Sequence, residues 1–144
     1  MKVLFDTSVL LPALDVKHTQ HEACYKLLKN CEANAEVIVL NTHLMAELFN
    51  NLTKQPRLAI TVAEINLTVH RLADRYVNVE LNMTDYLAAI DRCTSLGLRG
   101  GVVYDALHFQ AAIKAKVNVL YTGNLRDFER LKTEEITFGI KSPY

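Results

Sequence analysis

Short runs of β-branched and apolar residues alternate along the chain with longer segments in which apolar residues recur every three or four positions. The short runs predict five strands, at Val3–Phe5, Val37–Leu40, Val77–Leu81, Val119–Tyr121 and Ile136–Phe138. Strands that alternate with helices are typical of a parallel sheet with right-handed crossovers. The pattern therefore predicts a three-layer α/β/α fold with a central parallel sheet of four to five strands.

The helical segments follow the same alternation. They are predicted at Leu10–Leu14, His18–Asn30, Thr42 to near Pro56, Arg57–Arg75, Asp85–Leu96 and Val103–Lys116. The expected helix caps are Ser8, Asn41 or Thr42, and Thr84, because short polar side chains accept hydrogen bonds from free backbone N–H groups. The two consecutive helices that meet at Pro56 should project beside the sheet as a helical hairpin.

Length and composition narrow the class of protein. The 144 residues, half of them hydrophobic, predict a single domain spanning 1–144 with a core of its own. Sixteen basic side chains balance sixteen acidic ones, so any nucleic-acid site must be local. Three cysteines at no metal-binding spacing, no signal peptide and no apolar run of about 18 residues indicate a cytoplasmic protein without a membrane segment.

Acidic residues occur where several of these elements meet the same predicted edge of the sheet. Asp6 ends the first strand, Glu47 lies early in the helix after the second strand, and Asp105 begins a later helix. Thr122, Asn124 and Asp127 follow the fourth strand, with Arg126 beside them as a candidate phosphate ligand. Since ligands bind at the carboxyl ends of parallel strands, we expect one site there.

Each acid also has a simpler explanation when taken singly. Asp6 is then a helix cap, Glu47 a solvated surface acid, Asp105 a first-turn residue that favours the helix dipole, and Asp127 a loop residue. The conjunction at matched strand ends favours a shared site. Several carboxylates in one crevice repel each other, and an oxygen-only set suits Mg²⁺ or Mn²⁺.

Four segments resemble the PIN-domain family, and within it the VapC-type toxins of toxin–antitoxin modules. They are Phe5–Leu10, Thr42–Leu48, Tyr104–Ala112 and Val119–Phe128. The resemblance implies a PIN-like fold and a Mg²⁺- or Mn²⁺-dependent endoribonuclease that cuts RNA, forms a homodimer and is inhibited by a small antitoxin protein.

The resemblance also implies roles for individual residues. Asp6 and Asp105 match the family's principal metal ligands and Glu47 its second acid, so these three would be both catalytic and metal-binding. Thr7 or Ser8 would offer a hydroxyl to the substrate or to a ligand or water bound to the metal. The family's fourth acid is Asn124 here, with Asp127 one helical turn later, which favours one firmly held ion.

Two other functions stay open at this point. A PIN-like domain that no longer cleaves would act as an RNA- or protein-binding module, and Asn124 is the residue that favours it. An aspartyl-phosphate phosphatase or receiver domain also begins with an acid at a strand end. It needs a second acid beside the first, and Asp6-Thr7-Ser8 supplies none.

Overall fold

The computed structural model describes residues 1–55 and 59–144 of the chain. The strands of this part are β1 (Lys2–Phe5), β2 (Val37–Asn41), β3 (Val77–Val79), β4 (Val119–Tyr121) and β5 (Gly139–Lys141). The helices are α1 (Thr7–Leu14), α2 (His21–Ala33), α3 (Thr42–Thr53), α4 (Val62–Arg75), α5 (Met83–Ser95), α6 (Val102–Ala115) and α7 (Leu125–Glu129). No helix in these two ranges is long and apolar enough to cross a membrane.

All five strands are parallel and form one sheet in the order β3-β2-β1-β4-β5. Val3 in the central strand pairs with Ile38 on one side and with Val119 on the other. The chain moves outward from β1 to β3 and then returns to the opposite side of β1 for β4. This reversal separates the connections after β1 and β4, and a crevice for ligands forms at such a point.

Helices cover both faces of the sheet, which confirms the three-layer fold. Val3 and Phe5 point into a core made with α1, α2 and α3, whereas Leu4 between them points into a second core made with α5, α6 and α7. All three side chains are fully buried. Because both faces are apolar, only the ends of the strands are free to carry polar chemistry.

The predicted position of the last strand is wrong by three residues. Ile136–Phe138 precedes the strand, and β5 is Gly139–Lys141, which pairs with β4. The Phe138 ring packs against Phe109 with centroids 5.1 Å apart and planes at 60°. The apolar run therefore marks a segment buried in the second core, and an edge strand needs less hydrophobic sequence than the segment before it.

Four predicted helix starts also need correction, and the first is that of α2, which begins at His21 and not at His18. Asp6 occupies the N-cap position of α1 in place of Ser8, and Asn82 caps α5 in place of Thr84. Thr61 caps α4 through a capping box. Residues 59–61 are therefore not helical, although the prediction included them in the helix. Pro56, Arg57 and Leu58 lie outside the described residues. The consecutive helices α3 and α4 pack against each other, as the predicted hairpin requires.

We predict that Val3→Ala lowers the free energy of unfolding by about 2 kcal/mol, because it removes two buried methyl groups from the central strand. Val77→Ala is the matched control, since Val77 lies in an edge strand and is 52% exposed. It should change stability by less than about 0.5 kcal/mol. Urea denaturation measures both; equal effects would contradict the two-core arrangement around β1.

Candidate active site

Asp6 lies at the carboxyl end of the central strand and is 2% exposed. Its backbone begins α1, but its side chain makes no capping hydrogen bond. Instead, Oδ1 accepts a hydrogen bond from Ser8 Oγ at 2.6 Å and Oδ2 accepts one from Thr122 Oγ1 at 2.9 Å. The carboxylate thus connects the ends of β1 and β4 and is not a plain helix cap.

The two hydroxyls that hold Asp6 are themselves positioned by the turn after β4. The backbone N–H of Gly123 donates to Ser8 Oγ at 2.8 Å, and that of Asn124 donates to Thr122 Oγ1 at 2.9 Å. Each hydroxyl accepts from the backbone and gives its own proton to Asp6. Ser8 and Thr122, expected as substrate contacts, are therefore already engaged in orienting the carboxylate.

Glu47 projects from the second turn of α3 toward two histidines. Its Oε1 accepts a hydrogen bond from His108 Nε2 at 2.6 Å, and His43 Nε2 lies 2.8 Å from the same oxygen without hydrogen-bond alignment. Burial by itself raises the pKa of Glu47, but the two histidines outweigh burial and lower it to about 2. Glu47 is therefore an anion at neutral pH.

Asp105, in the first turn of α6, has an electrostatic environment opposite to that of Glu47. Burial raises its pKa to about 6, Asp6, Asp127 and Glu47 push it in the same direction, and His108 opposes them. Within the described residues its carboxylate has no hydrogen bond or ion pair. Asp6, Asp127 and Glu47 therefore lie close enough to Asp105 to affect its pKa.

Burial also raises the pKa of Asp6, against the lowering effects of His108, Ser8 and Thr122. The buried Asp6 and the half-buried Asp105, both with raised pKa values, fit a divalent cation, which would relieve their desolvation and mutual repulsion. Among the described residues, however, the group whose ligand atoms lie within 4.8 Å of one another is His43, Glu47 and His108. Asp6 and Asp105 are not part of that group.

Three of the remaining predicted residues, Asn124, Arg126 and Asp127, lie at the surface, whereas Thr7 is buried. Asp127 forms an exposed ion pair with Arg130, with 3.3 Å between Oδ1 and Nη1 and both side chains 46% exposed. Asn124 and Arg126 are exposed at the start of α7. Thr7 is buried, with Oγ1 3.4 Å from His108 Nε2. Asp127 therefore contributes charge at the surface, where an ion pair contributes little stability.

A cavity of about 450 Å³ opens beside Glu47. It is lined by His43, Ala46, Glu47, Asn50, Asn51 and Tyr104. The rings of His43 and Tyr104 stack with centroids 5.4 Å apart and an angle of 3° between their planes. The sequence alone did not indicate His43, Asn50 or Asn51 as site residues. Their spacing nevertheless places them on the same face of α3 as Glu47.

The model of the PIN domain family matches residues 3–134 of this chain. The chain belongs to the PIN domain family. No curated protein sequence is significantly similar to it.

Solved structures of similar fold come from several bacteria. VapBC2 from Rickettsia felis, bound to promoter DNA, has a chain 17% identical with a TM-score of 0.70, covering 99% of this PIN domain and 98% of that chain. VapC20 of Mycobacterium tuberculosis, described as a sarcin-ricin loop cleaving toxin, is 18% identical with a TM-score of 0.70, covering 94% and 98%. DNA-bound VapBC from Salmonella typhimurium is 16% identical with a TM-score of 0.71, covering 100% and 99%.

The raised pKa of Asp105 predicts that stability falls as pH increases. The unfolded chain releases this proton near the ordinary value of 3.8 and the folded chain near 6, so the folded state binds more protons between these values. Without divalent cations, Asp105→Asn should therefore melt a few degrees above the wild type at pH 7.5, with the difference shrinking toward pH 4. Asp91→Asn removes the same charge from an exposed position on α5 and should not melt above the wild type. Thermal melts with EDTA measure this; an unchanged or lower Asp105→Asn midpoint at pH 7.5 would contradict the repulsion.

Proposed function

We propose that this PIN domain is a Mg²⁺- or Mn²⁺-dependent endoribonuclease and the toxin of a type II toxin–antitoxin pair. The observation that supports it best is the buried Asp6 at the point where the strand order reverses, electrostatically coupled to Asp105 and Glu47. The similarity to VapC folds supports the same assignment. The products are expected to carry 5′-phosphate and 3′-hydroxyl ends.

Asp6 and Asp105 are the proposed metal ligands, with Glu47 as a third. A bound divalent cation supplies a Lewis acid for a phosphodiester oxygen and acidifies water. Ser8 and Thr122 hold the Asp6 carboxylate in one orientation. Glu47, kept anionic by the histidines, is suited to bind the cation directly or to orient its water. Arg126 would contact an RNA phosphate, and Asp127 would supply the fourth acidic group of the site.

Single-stranded or looped RNA is the proposed substrate class. The chain carries no net charge, so affinity must come from local contacts and not from a general basic surface. The cavity beside Glu47 offers Tyr104, 55% exposed, as a stacking surface and two carboxamides as hydrogen-bonding groups. Unstacked bases are recognised by such aromatic and amide side chains.

A small antitoxin and a second copy of this chain are the proposed protein partners. The similar solved structures include complexes described as VapBC and FitAB. Helix α5 exposes Met83, Leu87 and Ile90, which lie at helical spacing on one face and are 74%, 52% and 46% exposed. Such an apolar stripe is typical of a protein–protein contact. A cytoplasmic location follows from the proposed substrate.

We predict that wild-type protein cleaves RNA with Mn²⁺ and that Asp6→Asn lowers the rate at least about a hundredfold, since it removes a charge that holds the cation. EDTA should abolish wild-type cleavage. Lys132→Gln removes a charge from an exposed residue outside the proposed site, and it is the control for protein handling and for contaminating nuclease. Activity that survives either EDTA or Asp6→Asn would overturn the mechanism.

The silent binding module is the alternative that Asn124 favours, and metal-dependent stability separates the two. A cation that binds only the folded state raises the melting midpoint. At a concentration of 100 times its Kd it adds about 2.7 kcal/mol to the free energy of unfolding. We expect Mn²⁺ to raise the midpoint of wild type and to raise that of Asp105→Asn less. No shift up to millimolar Mn²⁺ would favour the binding module.

The stacking surface has its own test. Tyr104→Ala should raise KM for RNA about tenfold, because stacking of one base contributes about 1–3 kcal/mol. Tyr104→Phe keeps the ring and should remain within about twofold of wild type. Steady-state cleavage of a short single-stranded RNA gives both constants. If both variants match the wild type, RNA does not use this cavity.

A further inference from the structure

Asn41 ends β2, caps α3 and contacts His108 in the core. Its Oδ1 accepts a hydrogen bond from the backbone N–H of Leu44 at 3.1 Å, and its Nδ2 lies 2.9 Å from His108 Nδ1. Asn41 and His108 are 0% and 2% exposed, so neither group can exchange its partner for water. The two ends of one carboxamide therefore serve two different elements of the fold.

The capping hydrogen bond decides which way the carboxamide points. A backbone N–H needs an acceptor, so the oxygen of Asn41 must face Leu44. The NH₂ group must then face His108. An amide nitrogen only donates, so His108 Nδ1 must be the acceptor and carries no proton.

The consequence reaches Glu47 through the other ring nitrogen. A neutral imidazole without a proton on Nδ1 carries it on Nε2, and this nitrogen lies 2.6 Å from Glu47 Oε1. We infer that Asn41 is a positioning residue that fixes His108 as the Nε2–H tautomer, which holds the Glu47 carboxylate by its Oε1 oxygen. The inference rests on the proposed function only for its effect on cleavage.

The same tautomer bears on the cluster of His43, Glu47 and His108. The ligand atoms are close enough to surround one cation. A ring nitrogen that carries a proton has no lone pair in the ring plane to give to a metal. Ligation through His108 Nε2 would place a proton on Nδ1, against the NH₂ group of Asn41. His108 therefore orients Glu47 and is not itself a ligand.

Asn41→Asp is the variant that separates capping from tautomer selection. Aspartate caps a helix as well as asparagine does, so α3 keeps its first turn. The atom that faces His108 changes from a donor to a carboxylate oxygen, which requires a proton on Nδ1. Asn82→Asp is the matched control, because Asn82 caps α5 in the same way and has no histidine partner.

The experiment is long-range ¹H–¹⁵N NMR of the ring nitrogens of His108 in the full chain without metal, with assignment by His108→Gln. We expect one unprotonated nitrogen, Nδ1, in wild type and in Asn82→Asp, and a protonated Nδ1 in Asn41→Asp. A protonated Nδ1 in wild type overturns the inference. So does an Asn41→Asp spectrum that keeps the wild-type pattern. The wild-type spectrum alone is decisive if Asn41→Asp does not fold.

Cleavage of RNA with Mn²⁺ supplies the second measurement. Asn41→Asp should lower kcat about 10- to 100-fold with KM nearly unchanged, as residues that orient a ligand-bearing side chain typically do. Asn82→Asp should leave both constants unchanged. Wild-type cleavage with an unchanged kcat in Asn41→Asp overturns the role of Asn41 in positioning Glu47. The expected NMR pattern without cleavage by any protein refutes the ribonuclease and leaves the tautomer assignment intact.

Discussion

A buried carboxylate at the end of the central strand is the constraint on which this site depends. Taking Asp6 out of water is costly unless its oxygens are hydrogen-bonded. Two hydroxyls meet that need, one from α1 and one from the end of β4, and backbone N–H groups fix both hydroxyls. The pairing of β1 with β4 is thus required by the site as much as by the core.

The fold treats its acids in two different ways. Glu47 accepts a hydrogen bond from His108, lies beside His43 and stays ionised, whereas Asp105 has no hydrogen-bond or ion-pair partner among the described residues and is repelled by the other acids. A fully paired set would have no use for a cation, and a fully unpaired set would destabilise the fold. The combination leaves Glu47 ionised and leaves Asp105 with an electrostatic repulsion that a divalent cation can relieve. Functional sites depart from maximal stability in this way.

The comparison with other PIN domains has the same physical content. Chains only 16–18% identical retain the sheet and nearly the full length of the domain. A sheet buried on both faces accepts many apolar sequences, provided that volume and pattern are kept. The strand ends are less free, because each polar side chain there must find a specific partner.

The sequence by itself determined the layers, four of the five strand positions and the place of Asp6 at the end of β1, because local hydrophobic periodicity encodes these. It did not determine β5, where Ile136 and Phe138 pack in the core while the edge strand beside them has little apolar character. Nor did it reveal the contact between Asn41 and His108, which lie 67 positions apart. Their contact exists only once α3 and α6 are placed against the same sheet, so the orientation of Glu47 was decided by tertiary structure alone.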